Sequence, residues 1–257
     1  MGTLIRIVLY TKNESRANAA LTAAKSRFEQ LDQILSDYKP DSELNRLCRT
    51  AYLKPARVSP ELFTVVKFAQ RVSLQTDGAF DITIGARTRG RKGSVGYQFI
   101  SLGDQTIALA KPDMQLDVGA LGKGFAADEI SLLLDRAGFP RHMIAASGDI
   151  VTGDAPPHQP GWRIGLGEDN NSRAFQRCGI STSGNTTQPG HILDPKSDKP
   201  VPGSTTFTVI AKNGITADAL DTACMILPKE KRAALIAAYP GSELIELAGS
   251  TPQSAPA

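Results

Sequence analysis

The spacing of apolar positions changes several times along the chain, and each change predicts an element. Ile5, Ile7 and Leu9 share one face of an extended segment, and Leu4, Val8 and Tyr10 share the other with Arg6. That pattern predicts a mostly buried strand within 1–10. From Asn13 to Tyr38 the spacing becomes three and four, with Leu21, Ala24, Phe28, Leu31 and Leu35 in one stripe, as expected of a long amphipathic helix. Lys39-Pro40-Asp41-Ser42 stops it, and Asp41 or Ser42 can cap a short helix through Leu44 and Leu47. Ser59-Pro60-Glu61 opens another helix: a capping hydroxyl, a proline in the first turn and an acid near the positive end of the dipole. Leu62, Val65, Val66, Ala69 and Val72 form its inner side.

Asp77-Gly78 signals a turn, followed by the apolar–polar run Phe80 to Ile84 and a short basic loop, Arg87 to Lys92. That loop is open to two readings, a solvated connection or a phosphate or partner contact. Ile107–Leu109, Met114–Val118, Met143–Ala146, Trp162–Leu166 and Phe207–Ala211 read as strands. Gly124 to Ala137, Thr216 to Leu227 (with Thr216 as cap) and Pro228 to Ala238 read as helices. Strands cluster between helices rather than alternating with them. The expected fold is therefore a single α+β domain of mixed or antiparallel sheets flanked by helices, over residues 1–248. The low-complexity stretch Gly249–Ala257 is expected to be a disordered tail.

Composition narrows the function classes. A chain of 257 residues with 41% hydrophobic and 21% charged residues is an ordinary globular sequence. The net charge of +3, from 29 Lys+Arg against 26 Asp+Glu, is too small an excess to argue for nucleic acid or an anionic membrane. Cys48, Cys178 and Cys224 contain no C-x-x-C pair and read as free thiols. No run of 18 uncharged apolar residues and no signal peptide is visible, so membrane anchoring is not expected from these residues.

Two clusters carry candidate chemistry. Asp218 and Thr222 stand four apart on a predicted helix and share a face, with Asp221 beside Thr222. An all-oxygen set of this kind suits a hard cation such as Mg²⁺; it also suits the polar side of an ordinary amphipathic helix. Asp117 to Gly124 (DVGALGKG) is the second cluster: a glycine-containing bend opening a helix, where backbone can approach a phosphate closely. It is not a Walker A loop, because Asp117 stands where the first glycine belongs and Gly124 where Ser or Thr would hold magnesium. A tight structural turn is the other reading. Gly78-Ala79-Phe80-Asp81 either lines a nucleotide pocket or starts a strand. Ser181 to Asn185 and His191 to Pro195 read as polar, turn-rich segments, His191 being a hydrogen-bonded structural residue or part of a site. Tyr38 either stacks on an aromatic ligand or covers a helix end.

In order along the chain, these pieces resemble the ApbE family, the FAD:protein FMN transferases. The matching segments are Met1-Gly2-Thr3, Leu35-Ser36-Asp37-Tyr38, Pro40 to Leu44, Gly78 to Asp81, Leu116 to Gly124, Gly148-Asp149, Ser181 to Gly184, His191 to Pro195, and Ala217 to Ala223. The resemblance runs from residue 1 to about 227, and it implies a T-fold-like α+β architecture. It also implies Mg²⁺-dependent cleavage of FAD and transfer of FMN to a Ser or Thr hydroxyl of an acceptor protein, with release of AMP. Position by position, Asp218 and Thr222 look like metal ligands with Asp221 nearby, and Ala120 looks like the carbonyl donor. FAD contacts are expected from Met1, Tyr38, Ala79, Phe80, Asp81, Asp117, Lys123 and Ile192. Asp218, Lys123 and His191 are the expected catalytic residues, Lys123 as a point charge on the phosphates and His191, or a nearby carboxylate, as base. The alternatives are a Mg²⁺-dependent FAD pyrophosphatase and a flavin-binding protein without turnover. The resemblance implies a periplasmic or membrane-associated location; a cytoplasmic one is expected if the chain is complete as given. Departures from the family pattern include Ser147 in place of the first glycine of Gly-Gly-Asp, and Arg87–Lys92 where a tryptophan-containing stretch is usual.

Overall fold

The structure is a computed structural model that describes residues 4–166, 172–184, 190, 192–203 and 205–247. Met1, His191 and the 249–257 tail lie outside the described residues. Its centre is a six-stranded sheet in which every neighbouring pair is antiparallel. The strands, in chain order, are β1 (Ile5–Leu9), β5 (His142–Ala146), β6 (Asp149–Thr152), β9 (Cys178–Gly184), β12 (Thr206–Ala211) and β13 (Glu243–Leu247). A smaller sheet joins β2 (Ala56–Arg57), β3 (Ile100–Leu102) and β4 (Thr106–Leu109). Two hairpins complete the strands: β7 (Trp162–Gly165) with β8 (Ser172–Phe175), and β10 (Leu193–Asp194) with β11 (Lys199–Pro200).

The helices are α1 (Glu14–Leu35), α2 (Glu43–Thr50), α3 (Pro60–Gln75), α4 (Gly122–Arg136), α5 (Gly214–Ile226) and α6 (Lys229–Ala237). The expected start signals operate as read. Ser42 Oγ accepts from Asn45 N–H at 3.0 Å, and Ser59 Oγ accepts from Leu62 N–H at 3.2 Å. The strand pleat sends consecutive residues to opposite faces of the large sheet. Val151 and Ile144 join Ala127, Ile130 and Leu134 of α4 and Ala20 and Ala24 of α1. Ile150, Ile180 and Ile210 face the other way, onto Trp162, Ile164 and Phe175 of the β7–β8 hairpin. The largest core gathers α2, α3 and α5 around Leu44, Leu62 and Leu220, all fully buried.

Four sequence expectations are corrected. Met114–Val118 is extended but belongs to no sheet: Asp117 N–H bonds to the Ile82 carbonyl at 2.7 Å and Leu116 N–H to Cys48 Sγ at 3.3 Å, so no strand partner is needed. The run after Phe80 is a 3₁₀ turn over Ile82–Ala86 rather than a strand, because Asp81 Oδ1 accepts from both Thr83 N–H at 2.9 Å and Thr83 Oγ at 2.7 Å and caps it. Ser181–Gly184 is an interior strand of the large sheet, not a turn; its polar side chains find polar partners there. The cap of α5 is Asn213, whose Oδ1 accepts from Thr216 N–H at 3.2 Å.

Helix α5 docks on α4 at two glycines. A Cβ on Gly124 would lie 2.2 Å from the Gly214 carbonyl oxygen, and one on Gly214 would lie 2.5 Å from the Gly124 carbonyl oxygen. Neither position has room for a methyl group. Asp128, one turn further along α4, accepts from Gly214 N–H at 2.6 Å and Ile215 N–H at 2.9 Å, satisfying donors that a helix start leaves open. Gly122, by contrast, would place its Cβ 3.6 Å from Val118 Cγ2, an ordinary contact. Gly124→Ala is therefore expected to lower stability by about 2 kcal/mol or more, and Gly122→Ala to leave it level or raise it by about 0.5 kcal/mol. Thermal unfolding of the two variants side by side checks this; equal midpoints would remove the close contact as a constraint.

Candidate functional site

The cleft beside this helix pair has a volume of about 680 Å³. One wall is the turn after α1, with Tyr38, together with Phe80 and Asp81. The bend that opens α4 supplies Asp117, Ala120 and Lys123, helix α5 supplies Asp218 and Thr222, and Ile192 comes from the segment before β10. The fold thus gathers into one cavity residues that lie up to 184 positions apart, from Tyr38 to Thr222. Two expected residues stand elsewhere. Ala79 is buried in the largest core and does not line the cleft. Asp221 lies beneath the floor, fully buried. The expected roles of Met1 and His191 fall on residues outside those described.

The floor is an acidic cluster closed around one ammonium group. Lys123 Nζ lies 3.3 Å from Asp218 Oδ1 and 3.2 Å from Asp149 Oδ2, and donates to the Gly119 carbonyl at 2.9 Å. Gly124 N–H donates to Asp218 Oδ2 at 2.9 Å. The Ser181 hydroxyl bridges Asp221 Oδ2, at 2.7 Å, and Asp149 Oδ1. Thr222 Oγ1 lies 3.2 Å from Asp221 Oδ1 and 3.5 Å from Ser183 Oγ. Asp149, Asp218 and Asp221 are each at most 2% exposed.

This arrangement buries three carboxyl groups around one ammonium, and their burial and mutual repulsion favour the neutral form of two of them. Burial first, and then Asp149, push Asp218 up to about 7, against the opposing pull of Lys123 and Gly124 N–H. Burial, then Asp218 and Asp149, push Asp221 well up. Burial opposes the charge on Lys123, but Asp218, Asp149 and Asp221 outweigh it and hold the ammonium protonated above its usual range. The Ser181 hydroxyl has one hydrogen to share between two carboxylates. Among the described residues Asp149 Oδ2 is buried with no hydrogen-bond partner, only the ion pair to Lys123. A divalent cation fits such a donor set: the Asp218 carboxylate, the Thr222 hydroxyl and the Ala120 carbonyl are hard oxygen donors. Among the described residues no three His, Cys, Asp or Glu side chains form a ready-made cage.

Asp149 and Ser181 are the residues that sequence reasoning did not single out as site members. Asp149 figures only in the resemblance, and Ser181 only as part of a polar segment. The available signal was the period-two alternation of Gly179, Ser181 and Ser183 against Ile180 and Thr182, which reads as a strand with a polar edge.

Comparison with known proteins agrees with this geometry. Residues 1–245 match the ApbE family. The FAD:protein FMN transferase of Salmonella typhimurium is 28% identical over 90% of this chain and 77% of its own length. That of Treponema pallidum is 26% identical over 95% of this chain and 82% of its own. The solved flavin transferase ApbE of Vibrio cholerae superimposes with a TM-score of 0.84 at 25% identity, over 96% of this chain and 90% of that one. A match over nearly the whole length, on a fold that assembles the same ordered segments around one cleft, makes this chain a member of the ApbE family.

Proposed function

We propose that this chain is a Mg²⁺-dependent FAD:protein FMN transferase, cutting the pyrophosphate of FAD and passing FMN to a Ser or Thr hydroxyl of an acceptor protein. The observation that carries the reading is the buried acidic excess around Lys123 at the floor of a cleft of cofactor size. Burial and crowding push Asp218 and Asp221 toward their neutral forms; a divalent cation would favour their carboxylate forms and draw a pyrophosphate to the floor. The names of the relatives supply the flavin and the protein acceptor.

Asp218, Thr222 and the Ala120 carbonyl would hold the ion. When bound, it supplies charge neutralisation on the pyrophosphate and a fixed orientation for in-line displacement. The chain's own residues do the rest. Lys123 is held by two carboxylates and a carbonyl, so its ammonium sits at a defined point at the mouth of α4. Ser181 ties Asp221 to Asp149 and fixes the wall behind Asp218. In the transfer, the acceptor hydroxyl oxygen bonds to the FMN phosphorus, the bond to the AMP phosphate breaks, and AMP leaves with the electron pair. The hydroxyl proton passes to a carboxylate of the cleft or to His191.

Asp218→Asn is expected to reduce FMN transfer by about 100-fold or more. It should leave thermal stability without metal unchanged or higher, because burial and Asp149 already disfavour the charged form of Asp218 and the amide oxygen can still accept from Gly124 N–H. Mg²⁺ should raise the unfolding midpoint of the native chain and not that of the variant. Near-normal turnover by Asp218→Asn in excess Mg²⁺ would remove the metal role. A second experiment separates transfer from hydrolysis: protein, FAD and Mg²⁺ are incubated with and without an acceptor protein. AMP release that requires the acceptor and stops with EDTA supports transfer. AMP release at the same rate without acceptor assigns water as the nucleophile instead.

A further inference from the structure

The rim of the cleft holds a second built feature. Arg89 lies in the short turn Thr88–Gly90, and its guanidinium carbon sits 3.5 Å from the centroid of the Tyr38 ring. Arg89 and Tyr38 both line the cleft. Arg89 Nη1 donates to the Asp37 carbonyl at 3.1 Å, and Nη2 pairs with Asp37 Oδ2. Tyr38 is 71% exposed, so its ring face is covered by little besides this guanidinium.

The backbone is arranged to present Arg89 in this way. Its φ and ψ of 58° and 37° lie in the left-handed region, which side chains other than glycine rarely adopt. The turn is nonetheless tied down. Arg91 N–H donates to the Thr88 carbonyl at 3.2 Å, and Thr88 Oγ and Arg91 Nη1 both donate to the Gly85 carbonyl, at 3.1 and 3.2 Å. Gly85 in turn packs against the backbone of Gln115 to Asp117, where a Cβ would come within 2.9 Å. The strained residue is therefore braced on the same bend that carries Asp117 and Lys123. Strain that persists under such bracing is typical of ligand clamps.

One hydrogen on each Nη is engaged on Asp37 and one face lies on Tyr38, which fixes the plane of the guanidinium and leaves its second face as a broad cationic surface. A plane fixed in this way stacks on an aromatic ring system. We propose that Arg89, locked between Tyr38 and Asp37, is a substrate-contacting specificity residue that stacks on a planar heteroaromatic ring of the dinucleotide. This rests on the reading of the cleft as a flavin dinucleotide site and adds to it the surface that selects one of the two ring systems. Tyr38 then acts as the backing of the stack rather than as its outer layer.

Arg89→Lys tests this, since it keeps the charge beside Asp37 and removes the plane. Binding of riboflavin and of ADP, each measured separately by calorimetry on the full chain with Mg²⁺ present, reads the two ends of the substrate. Arg89→Lys is expected to weaken one of the two about tenfold and leave the other within about twofold. Loss on riboflavin assigns the stack to the flavin ring; loss on ADP assigns it to adenine. Unchanged affinity for both, an equal loss for both, or tighter binding overturns the inference, the last because the guanidinium would then be a cover over Tyr38. FAD titration of the native chain separates this from the function it rests on. If the native chain binds no FAD, the proposed function fails; if it binds FAD and Arg89→Lys changes neither probe, only the stacking role fails.

Discussion

Helices α4 and α5 touch through Gly124 and Gly214, backbone against backbone, and the floor of the cleft depends on how close that contact is. At this separation Gly124 N–H reaches the Asp218 carboxylate at 2.9 Å, and Lys123, one residue earlier, meets the other oxygen of the same group. A single methyl group at either glycine would drive the helices apart by more than a hydrogen bond tolerates. The bend before α4, the start of α5 and the carboxylate between them therefore form one unit. Asp128 holds that unit from behind by capping the first N–H groups of α5.

The contact brings together groups that are costly to bury. The carboxyl groups of Asp149, Asp218 and Asp221 are taken out of water with one lysine among them, whereas pairs such as Arg173–Glu243 lie at the surface. Arg173 and Glu243, each 47% exposed, contribute at most about 1 kcal/mol. A buried acidic cluster is different in kind, since burial and repulsion push Asp218 and Asp221 toward their neutral forms and only a cation would favour their charged ones. The surrounding scaffold absorbs that cost through two apolar layers on the large sheet, one under α1 and α4 and one under the β7–β8 hairpin. Strand β9 belongs to both parts. Ile180 packs into the hairpin layer, while Ser181 and Ser183 serve the cleft on the opposite face.

The rim follows the same logic with fewer charges. Asp37 lies near Asp117, and burial together with that neighbour pushes its carboxyl up while Arg89 opposes the shift. Arg89 is thus bound to the cleft by charge as well as by stacking. The 3₁₀ turn capped by Asp81 sets where the basic loop leaves the core. Asp81 itself spends both oxygens on local backbone and side-chain donors, at Thr83 and Tyr97. Its place in the cleft wall is that of a brace.

Much of this was legible along the chain. The stripe from Leu21 to Leu35 marked α1, the hydroxyl caps at Ser42 and Ser59 marked α2 and α3, and the four-residue spacing of Asp218 and Thr222 put both on one face of α5. These signals are local: periodicity and capping depend on residues within a turn or two of one another. The ordered motifs also pointed to the family, because they reflect chemistry rather than contacts. Other features were not readable. Met114–Val118 looked like a strand because apolar alternation does not say whether a partner strand exists. Ser181–Gly184 looked like a turn because polarity in a strand makes sense only when Asp149, Asp221 and Thr222 are known to face it. By itself, the sequence determined the helices, the caps of α2 and α3 and the residue types that can hold a cation, while the cap of α5 proved to be Asn213 rather than Thr216. Only the tertiary structure decided that Asp149 and Ser181 belong to the floor, that Asp221 lies beneath it, that Ala79 is core, and that Arg89 covers Tyr38. Those are relations between segments tens of residues apart, and packing distances between such segments are not encoded in any local pattern.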